Sequence, residues 1–482
     1  MTKARGLLAG CPTGAALDPM FNNSNRRFSL NSITQFLNLL KGSGTDGWGG
    51  QSLSDRAAIS GAWISLGFVL QRALQLGSNL ILTRLLFPEA FGLMALTSVF
   101  VIGLAMFSDL GIHPAIIRDV RGNDPVLLNT AWTIQVVRGF VLFTCGSLLA
   151  YPISIIYDQP ILFPLLAVVS STAAIAGFAS VKMATAERDL DFRKVMYVQT
   201  IGQIMTIVTM IAIAYVWESV WALVAGNIIG TFSLVLAGHL LMRGHQHRFQ
   251  FDRDSSKSLM NFGKWIFLST IVTYVGGEGL RAVQGGLLTP REFGILAIAN
   301  TIASIPVELS MKLTSSVGLP ALSEAHRNDI STMSGILHKF RKRVLLVALV
   351  LISMVVMVSE PLVSFLYDQR YHAAGPFVVA LTLSSAIALI FAGYNNALLA
   401  LGKSQAYLWI MTFAAVCRIV GLVAGNEIFG VMGMIVGVGI ANFAVLLVGW
   451  LMMLKLRLLD LKLDLAALSI IFLLGVLAAT VI

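Results

Sequence analysis

The chain has 482 residues, 56% of them hydrophobic and only 12% charged, where an average soluble domain is roughly 25% charged. With a mean hydropathy of +0.81, no soluble core of this length hides so much apolar surface, which leaves a bilayer as the solvent. Net charge +10 reads as basic cytoplasmic loops rather than a nucleic-acid surface, and the isolated Cys11, Cys145 and Cys417 offer neither a disulfide framework nor a zinc site.

Residues 1–56 differ from the rest. "NNSNRR" and "KGSGTDGWGGQS" are polar and Gly/Ser-rich, which predicts a disordered cytoplasmic tail. "FSLNSITQFLNLL" between them has the pattern of a short interfacial amphipathic helix. No basic stretch leads straight into an apolar run with a cleavage site, so no signal peptide is expected.

Apolar segments then follow at 60–85, 91–112, 127–150, 160–181, 196–216, 219–242, 260–287, 293–315, 342–367, 375–400, 404–425, 429–454 and 465–482. Most exceed the ~18 residues that cross the hydrocarbon as helix. Only helices or closed barrels satisfy the backbone there, and these runs are too long and uniformly apolar for barrel strands. The expected fold is an all-α polytopic membrane protein with about 12–14 helices. Loops after even-numbered segments carry about 20 Lys and Arg, loops after odd-numbered ones about 3, which places the N-terminus in the cytoplasm.

An internal repeat organises the chain. "LLFPEAFGLMAL" from Leu85 returns as "LLTPREFGILAI" from Leu287, and "GAWISL" at Gly61 returns as "GKWIFL" at Gly263, both at an offset of 202 residues. The repeats begin at the first and seventh segments, so both units enter the membrane in the same direction, as in transporters built from parallel repeats. The predicted domains are the tail, an N-lobe at 57–242, a cytoplasmic linker at 243–259, a C-lobe at 260–455 and an extra helix at 456–482. The linker histidines His245 and His247 are read as solvated. Pro88, Phe91 and Gly92, with Pro290, Phe293 and Gly294, predict a tight outer hairpin joining the two leading helices of each lobe. Proline ends the first helix there.

Ionisable residues at membrane depth cost at least about 2.5–3.5 kcal/mol each on insertion scales, so they face a cavity or a partner. Arg72, Gln75, Asn79 and Thr83 fall on one face of the first helix, and Thr270, Tyr274, Glu278 and Arg281 on one face of the seventh. Two such faces across a pseudo-twofold axis predict a central cavity of net positive potential. Its expected lining is Arg72, Gln75, Asn79, Arg138, Tyr274, Glu278, Arg281, Lys312 and Arg418. The spacings Glu278/Arg281 and Glu308/Lys312 equally fit structural ion pairs. Arginine suits an anionic cargo, because its guanidinium stays charged and matches phosphate bidentately. There is no P-loop, HExxH or histidine cluster at ligand spacing, so no catalytic residue, metal or cofactor is assigned.

From about Ile59 onward the chain resembles bacterial polysaccharide (oligosaccharide) flippases of the multidrug/oligosaccharidyl-lipid/polysaccharide exporter superfamily. The resemblance lies in the stretch "ISGAWISLGFVLQRALQLGSNLILTRLLFPEAFGLMALTSVFVIGLAMFSDLGIHPAIIRD", in "ATAERDLDFRKVMYVQTIG" and in "TSSVGLPALSEAHRN". It implies two six-helix lobes, and movement of polyprenyl-pyrophosphate-linked sugar units across the bacterial inner membrane. It further implies assembly of exopolysaccharide, O-antigen or capsule beside a polymerase and a chain-length regulator. Gly286 stands where that family often has an arginine before the second hairpin. Two other readings are a cation-coupled drug exporter, which favours acidic cavity residues, and a membrane-embedded polymerase, which needs a large catalytic loop.

Overall fold

A computed structural model describes residues 53–109, 111–119, 121–242, 244–314, 330–401 and 403–481. The expected disordered tail up to residue 52, and the "GLPALS" element at 318–323, lie outside the described residues. The chain divides into two units, Met1–Gly67 and Phe68–Ile482. Among the described residues the first unit is the opening of one helix, and the second holds a helical bundle without strands.

The helices are α1 (Leu53–Leu85), α2 (Pro88–Phe107), α3 (Ile112–Arg118), α4 (Pro125–Ile156), α5 (Leu162–Gly177), α6 (Lys182–Arg188), α7 (Phe192–Val216) and α8 (Trp221–Leu241). After the linker come α9 (Arg253–Gly276), α10 (Glu278–Leu287), α11 (Pro290–Ala303), α12 (Ile305–Leu313), α13 (Ile330–Leu366), α14 (Ala374–Ala400), α15 (Ser404–Lys455) and α16 (Leu461–Val481). Among the described residues eight helices are long and apolar enough to cross a membrane, or ten if two bent pairs each count as one span. α1 and α9 fall outside that set; they are the polar leading helices of the two repeats. This is an all-α, multi-pass membrane protein.

Helix boundaries follow local chemistry. Pro88, Pro125 and Pro290 occupy first helical turns, where the missing N–H costs nothing. Thr289 and Glu292 close a capping box on α11. α15 is one element only in name: Phe429 and Gly430 leave helical geometry, with Gly430 at φ +58°. The two arms then pack glycine on glycine. A Cβ added at Gly425 meets the Gly433 carbonyl oxygen at 2.0 Å, and one at Gly437 meets that of Gly421 at 1.9 Å.

The seventh and eighth predicted segments are not single helices. Gly277, at φ −119° and ψ −84°, separates α9 from α10. Pro306 cannot donate to Ile302 and forces a 44° bend between α11 and α12. The first repeat has no such breaks, since α1 and α2 run on through the matching positions.

The two repeat hairpins meet each other. A Cβ on Gly92 would lie 1.9 Å from the Pro290 carbonyl oxygen, and one on Gly294 would lie 1.9 Å from that of Pro88. These contacts exchange under the 202-residue offset, so α2 and α11 cross at a local pseudo-twofold. Further bonds join the halves nearby. The Tyr371 hydroxyl donates to the Leu86 carbonyl oxygen at 2.9 Å, Arg370 Nη2 donates to that of Arg84 at 3.2 Å, and Arg291 lies 4.0 Å from Glu89. The hairpins thus join repeat to repeat as well as helix to helix.

The linker is strapped down. Asn129 Oδ1 meets His245 Nε2 at 2.9 Å and accepts from the Arg248 amide, Thr133 and Thr130 accept from the Gln250 and Asp252 amides, and Ser180 meets His247 Nε2 at 2.8 Å. The His247 ring also lies beside Trp132. Both histidines, expected to be solvated, are held: His245 by Asn129 at the start of α4, and His247 by Ser180, between α5 and α6. His247 is pushed down to about 4 by burial and by neighbouring His239, Lys182 and His245.

Candidate functional site

A cavity of about 790 Å³ opens among α1, α2, α10, α11, α12, α14 and α15. Its charged lining is Arg72, Glu278, Arg281, Glu308 and Arg418. Uncharged polar groups come from Gln75, Gln284, Asn300, Ser384, Ser385, Asn395 and Asn442, among others. The helix breaks make this possible. The turn at Gly277 starts α10 with Glu278, and the bend at Pro306 brings Glu308 onto the wall.

Two of the three arginines have carboxylate partners. Arg72 pairs with Glu308 across 236 residues of sequence and also donates to Gln75 Oε1 at 2.7 Å; Ser304 donates to the other Glu308 oxygen at 2.9 Å. Arg281 lies 3.3 Å from Glu278 on the same helix. Arg418 has no carboxylate partner among the described residues. Its Nε donates to Asn442 Oδ1 at 2.7 Å, and Asn442 Nδ2 donates to the Ser384 carbonyl oxygen at 3.0 Å. That clasp fixes the guanidinium stem and leaves its terminal nitrogens for the cavity. Three arginines against two glutamates leave the wall one positive charge in excess.

Of the residues expected to line one central cavity, Arg72, Gln75, Glu278, Arg281 and Arg418 do so. Asn79 lines a second, smaller cavity of about 350 Å³, which Gln75 shares. Arg138, Tyr274 and Lys312 line neither of these cavities. Arg138 turns to α2 and its end, donating to the Ala105 carbonyl oxygen at 2.6 Å and to Ser108 Oγ at 2.9 Å. Tyr274 precedes the break at Gly277, so it leaves the face shared with Glu278. It lies edge-on to Phe107 at 4.8 Å, and its hydroxyl reaches the Val99 carbonyl oxygen at 3.4 Å. The Lys312 ammonium sits 3.8 Å over the Phe68 ring, and Glu308, its expected partner by spacing, is shared with Arg72. Pro88 and Pro290, with Gly92 and Gly294, form the hairpin contact; Phe91 lines the smaller cavity and Phe293 the larger.

Sequence reasoning missed a second charged centre. Arg341, counted among loop cations by position, is 1% exposed and pairs with fully buried Asp464 at 2.6 Å. Tyr394 and Trp450 also donate to Asp464, at 3.0 and 2.7 Å, and the Arg341 guanidinium lies 3.5 Å over the Tyr394 ring. The centre ties α13, α14 and α15 to α16. The signal was present: an aspartate inside the apolar run "LKLDLAALS" needs a buried cation.

Known proteins resemble this arrangement. The lipopolysaccharide biosynthesis protein WzxC of Escherichia coli (strain K12) is 19% identical over 405 residues, covering 84% of this chain and 82% of that one. The succinoglycan biosynthesis transport protein ExoT of Rhizobium meliloti (strain 1021) is 22% identical over 353 residues, covering 73% and 70%. In fold, the chain is similar to the lipid II flippase MurJ in its inward closed conformation, with TM-score 0.65 and 15% identity over 86% of this chain and 92% of that one. It is similar to an inward-facing multidrug resistance MATE family transporter of the MOP superfamily, with TM-score 0.66 and 15% identity over 83% and 98%. Residues 81–376 match the family model described as polysaccharide biosynthesis protein; the chain belongs to that family.

Proposed function

We propose that this protein flips polyprenyl-pyrophosphate-linked oligosaccharide from the cytoplasmic to the outer leaflet of a bacterial inner membrane, by alternating access between two six-helix lobes. One observation carries the reading: Arg418 faces the large cavity with no carboxylate partner among the described residues, held by Asn442. An arginine in that state is a receptor for a bidentate anion, and the pyrophosphate supplies one. The ion pairs Arg72–Glu308 and Arg281–Glu278 keep the rest of the wall near neutrality, so one anionic group is taken up without a large electrostatic trap. The prenyl tail stays in lipid. The lipopolysaccharide and succinoglycan roles in the relatives' names support the same class of cargo. Lys and Arg placement puts the joined hairpins on the outer side, so the form described is closed outward.

The test is reconstitution in proteoliposomes loaded with a prenyl-pyrophosphate-linked sugar, read by an impermeant lectin. Wild-type protein is expected to expose the sugar within minutes, and Arg418→Ala to slow exposure at least tenfold at equal protein folding. No exposure above protein-free vesicles removes the proposal. Cation-dependent efflux of ethidium from the same vesicles would favour drug export instead.

A further inference from the structure

The smaller cavity differs in kind from the larger one. It is an open cleft lined by α1, α2, α7, α8 and α11, has a volume of about 350 Å³, and has no charged side chain among its described lining. That volume lies within the range of small-molecule sites, roughly 300–1,000 Å³. Gln75, Ala95, Ser98, Ala297 and Thr301 line both cavities, so the two abut along one wall. A ligand anchored at Arg418 in the first has the second as its neighbour.

The polar groups of this compartment have a common state. Ser98, Thr206 and Thr301 each donate their hydroxyl proton to a carbonyl one turn back in their own helix, at 2.8, 2.9 and 3.0 Å. The Ser98 and Thr301 oxygens are left as acceptors on the cavity wall, while the Thr206 oxygen packs against Gly230 of α8, where an added Cβ would lie 1.7 Å from it. Gln203 donates Nε2 to the Gln71 carbonyl oxygen at 2.8 Å, which leaves its Oε1 as an acceptor too. Gln75 accepts from Arg72 and keeps its amide protons, and Asn79 makes no side-chain hydrogen bond among the described residues. The wall is therefore rich in acceptors, with a few amide donors and no charge. An anion meets lone pairs there and is repelled. A prenyl chain leaves the Asn79 amide and the Gln203 Oε1 without partners, which is unfavourable. Sugar hydroxyls, which donate and accept, match the set, and the apolar Phe91, Met94 and Leu223 suit the C–H faces of a sugar ring.

We infer that this compartment is a glycan subsite that takes the uncharged sugar next to the pyrophosphate, with Gln203 and Thr301 as specificity-determining acceptors. The inference rests on the proposed transport of lipid-linked sugar and adds where the sugar sits and which sugars are refused.

Binding to the purified full chain tests it with three farnesyl diphosphates of equal diphosphate charge, capped by methyl, by a neutral hexose or by a hexuronate. Wild-type protein is expected to bind the hexose cap at least tenfold tighter than the methyl cap, and the hexuronate no tighter than the methyl cap. Gln203→Leu and the isosteric Thr301→Val should each cut the hexose preference to under threefold, with methyl-cap affinity changed less than twofold. Arg418→Ala should weaken all three probes alike. A methyl cap bound as well as the hexose cap, or a preference that survives in both variants, overturns the subsite and leaves the transport reading standing. Failure of wild-type protein to bind any of the probes overturns both. Thermal unfolding within a few degrees of wild type qualifies each variant, and Thr301→Val, which keeps shape, carries the test if Gln203→Leu unfolds.

Discussion

Charged side chains in this protein are sorted by what they meet, and sequence spacing alone misassigns several of them. Glu308 is spaced for Lys312 and also pairs with Arg72, from 236 residues away. Arg341 and Asp464, at 1% and 0% exposure, form the deepest ion pair described. Removing one partner of such a pair leaves an uncompensated charge, which costs about 3–5 kcal/mol. Asp464→Ala should therefore lower the thermal midpoint in detergent sharply. The double substitution Arg341→Met with Asp464→Leu should recover most of the loss, because apolar replacements remove both desolvation penalties. Equal loss in the single and double variants would mean that shape, not charge, holds α16. His247 gives a pH signature. Its folded value of about 4 lies below the ordinary 6.5, so between those values the unfolded linker binds a proton that the folded one refuses. Strap stability is then full above about 6.5 and falls as pH drops toward about 4. Hydrogen exchange over residues 245–252 should show this loss, and His247→Gln should flatten it.

At the level of elements, the two repeats share a pattern but not a geometry. Both keep the Pro-x-x-Phe-Gly turn, and in both the glycine lets one helix lie against the other repeat's proline carbonyl. Gly294→Val places carbon where Pro88 oxygen stands, so α2 and α11 must separate. Cysteines replacing Glu89 and Arg291, an exposed pair 4.0 Å apart, should cross-link readily with Gly294 present and at least tenfold more slowly with valine. An unchanged rate would show that the crossing tolerates a side chain. The repeats differ at Gly277 and Pro306, which break the second copy only. The dipeptide Gly276-Gly277 and the lone Pro306 were legible as breakers. Their consequence was not, because helical-face arithmetic assumes an unbroken helix and so put Tyr274 with Glu278.

Across the whole molecule, the hairpin end is closed by apolar packing of Leu86 and Ala90 with Leu288 and Phe293 and by a few polar bonds. Tyr371 to Leu86 and Arg370 to Arg84 each contribute on the order of 1 kcal/mol. Tyr371→Phe combined with Arg370→Ala should shift a two-state equilibrium toward the open end by roughly tenfold or more. Spin labels at Phe87 and Thr289, both exposed, should then report a longer-distance population. A distance distribution identical to wild type would place the outer gate elsewhere. Opening that end while closing the other is the motion that alternating access requires of the proposed flippase.

The amino-acid sequence by itself determined the class: apolar runs of helical length, the 202-residue repeat and the family motifs are local properties, and each is visible without contacts. It also marked Arg72, Gln75, Glu278, Arg281 and Arg418 as residues out of place in lipid, since the penalty for a polar group at membrane depth does not depend on the partner. Only the tertiary structure decided the partners. Which carboxylate answers Arg72, why Arg138 turns to a carbonyl of α2, why Arg418 has no carboxylate partner among the described residues, and how the polar lining divides into a charged cavity and a neutral one all depend on how separate helices approach one another. Helix breaks set those approaches, and charge pairing depends on distances that periodicity does not contain.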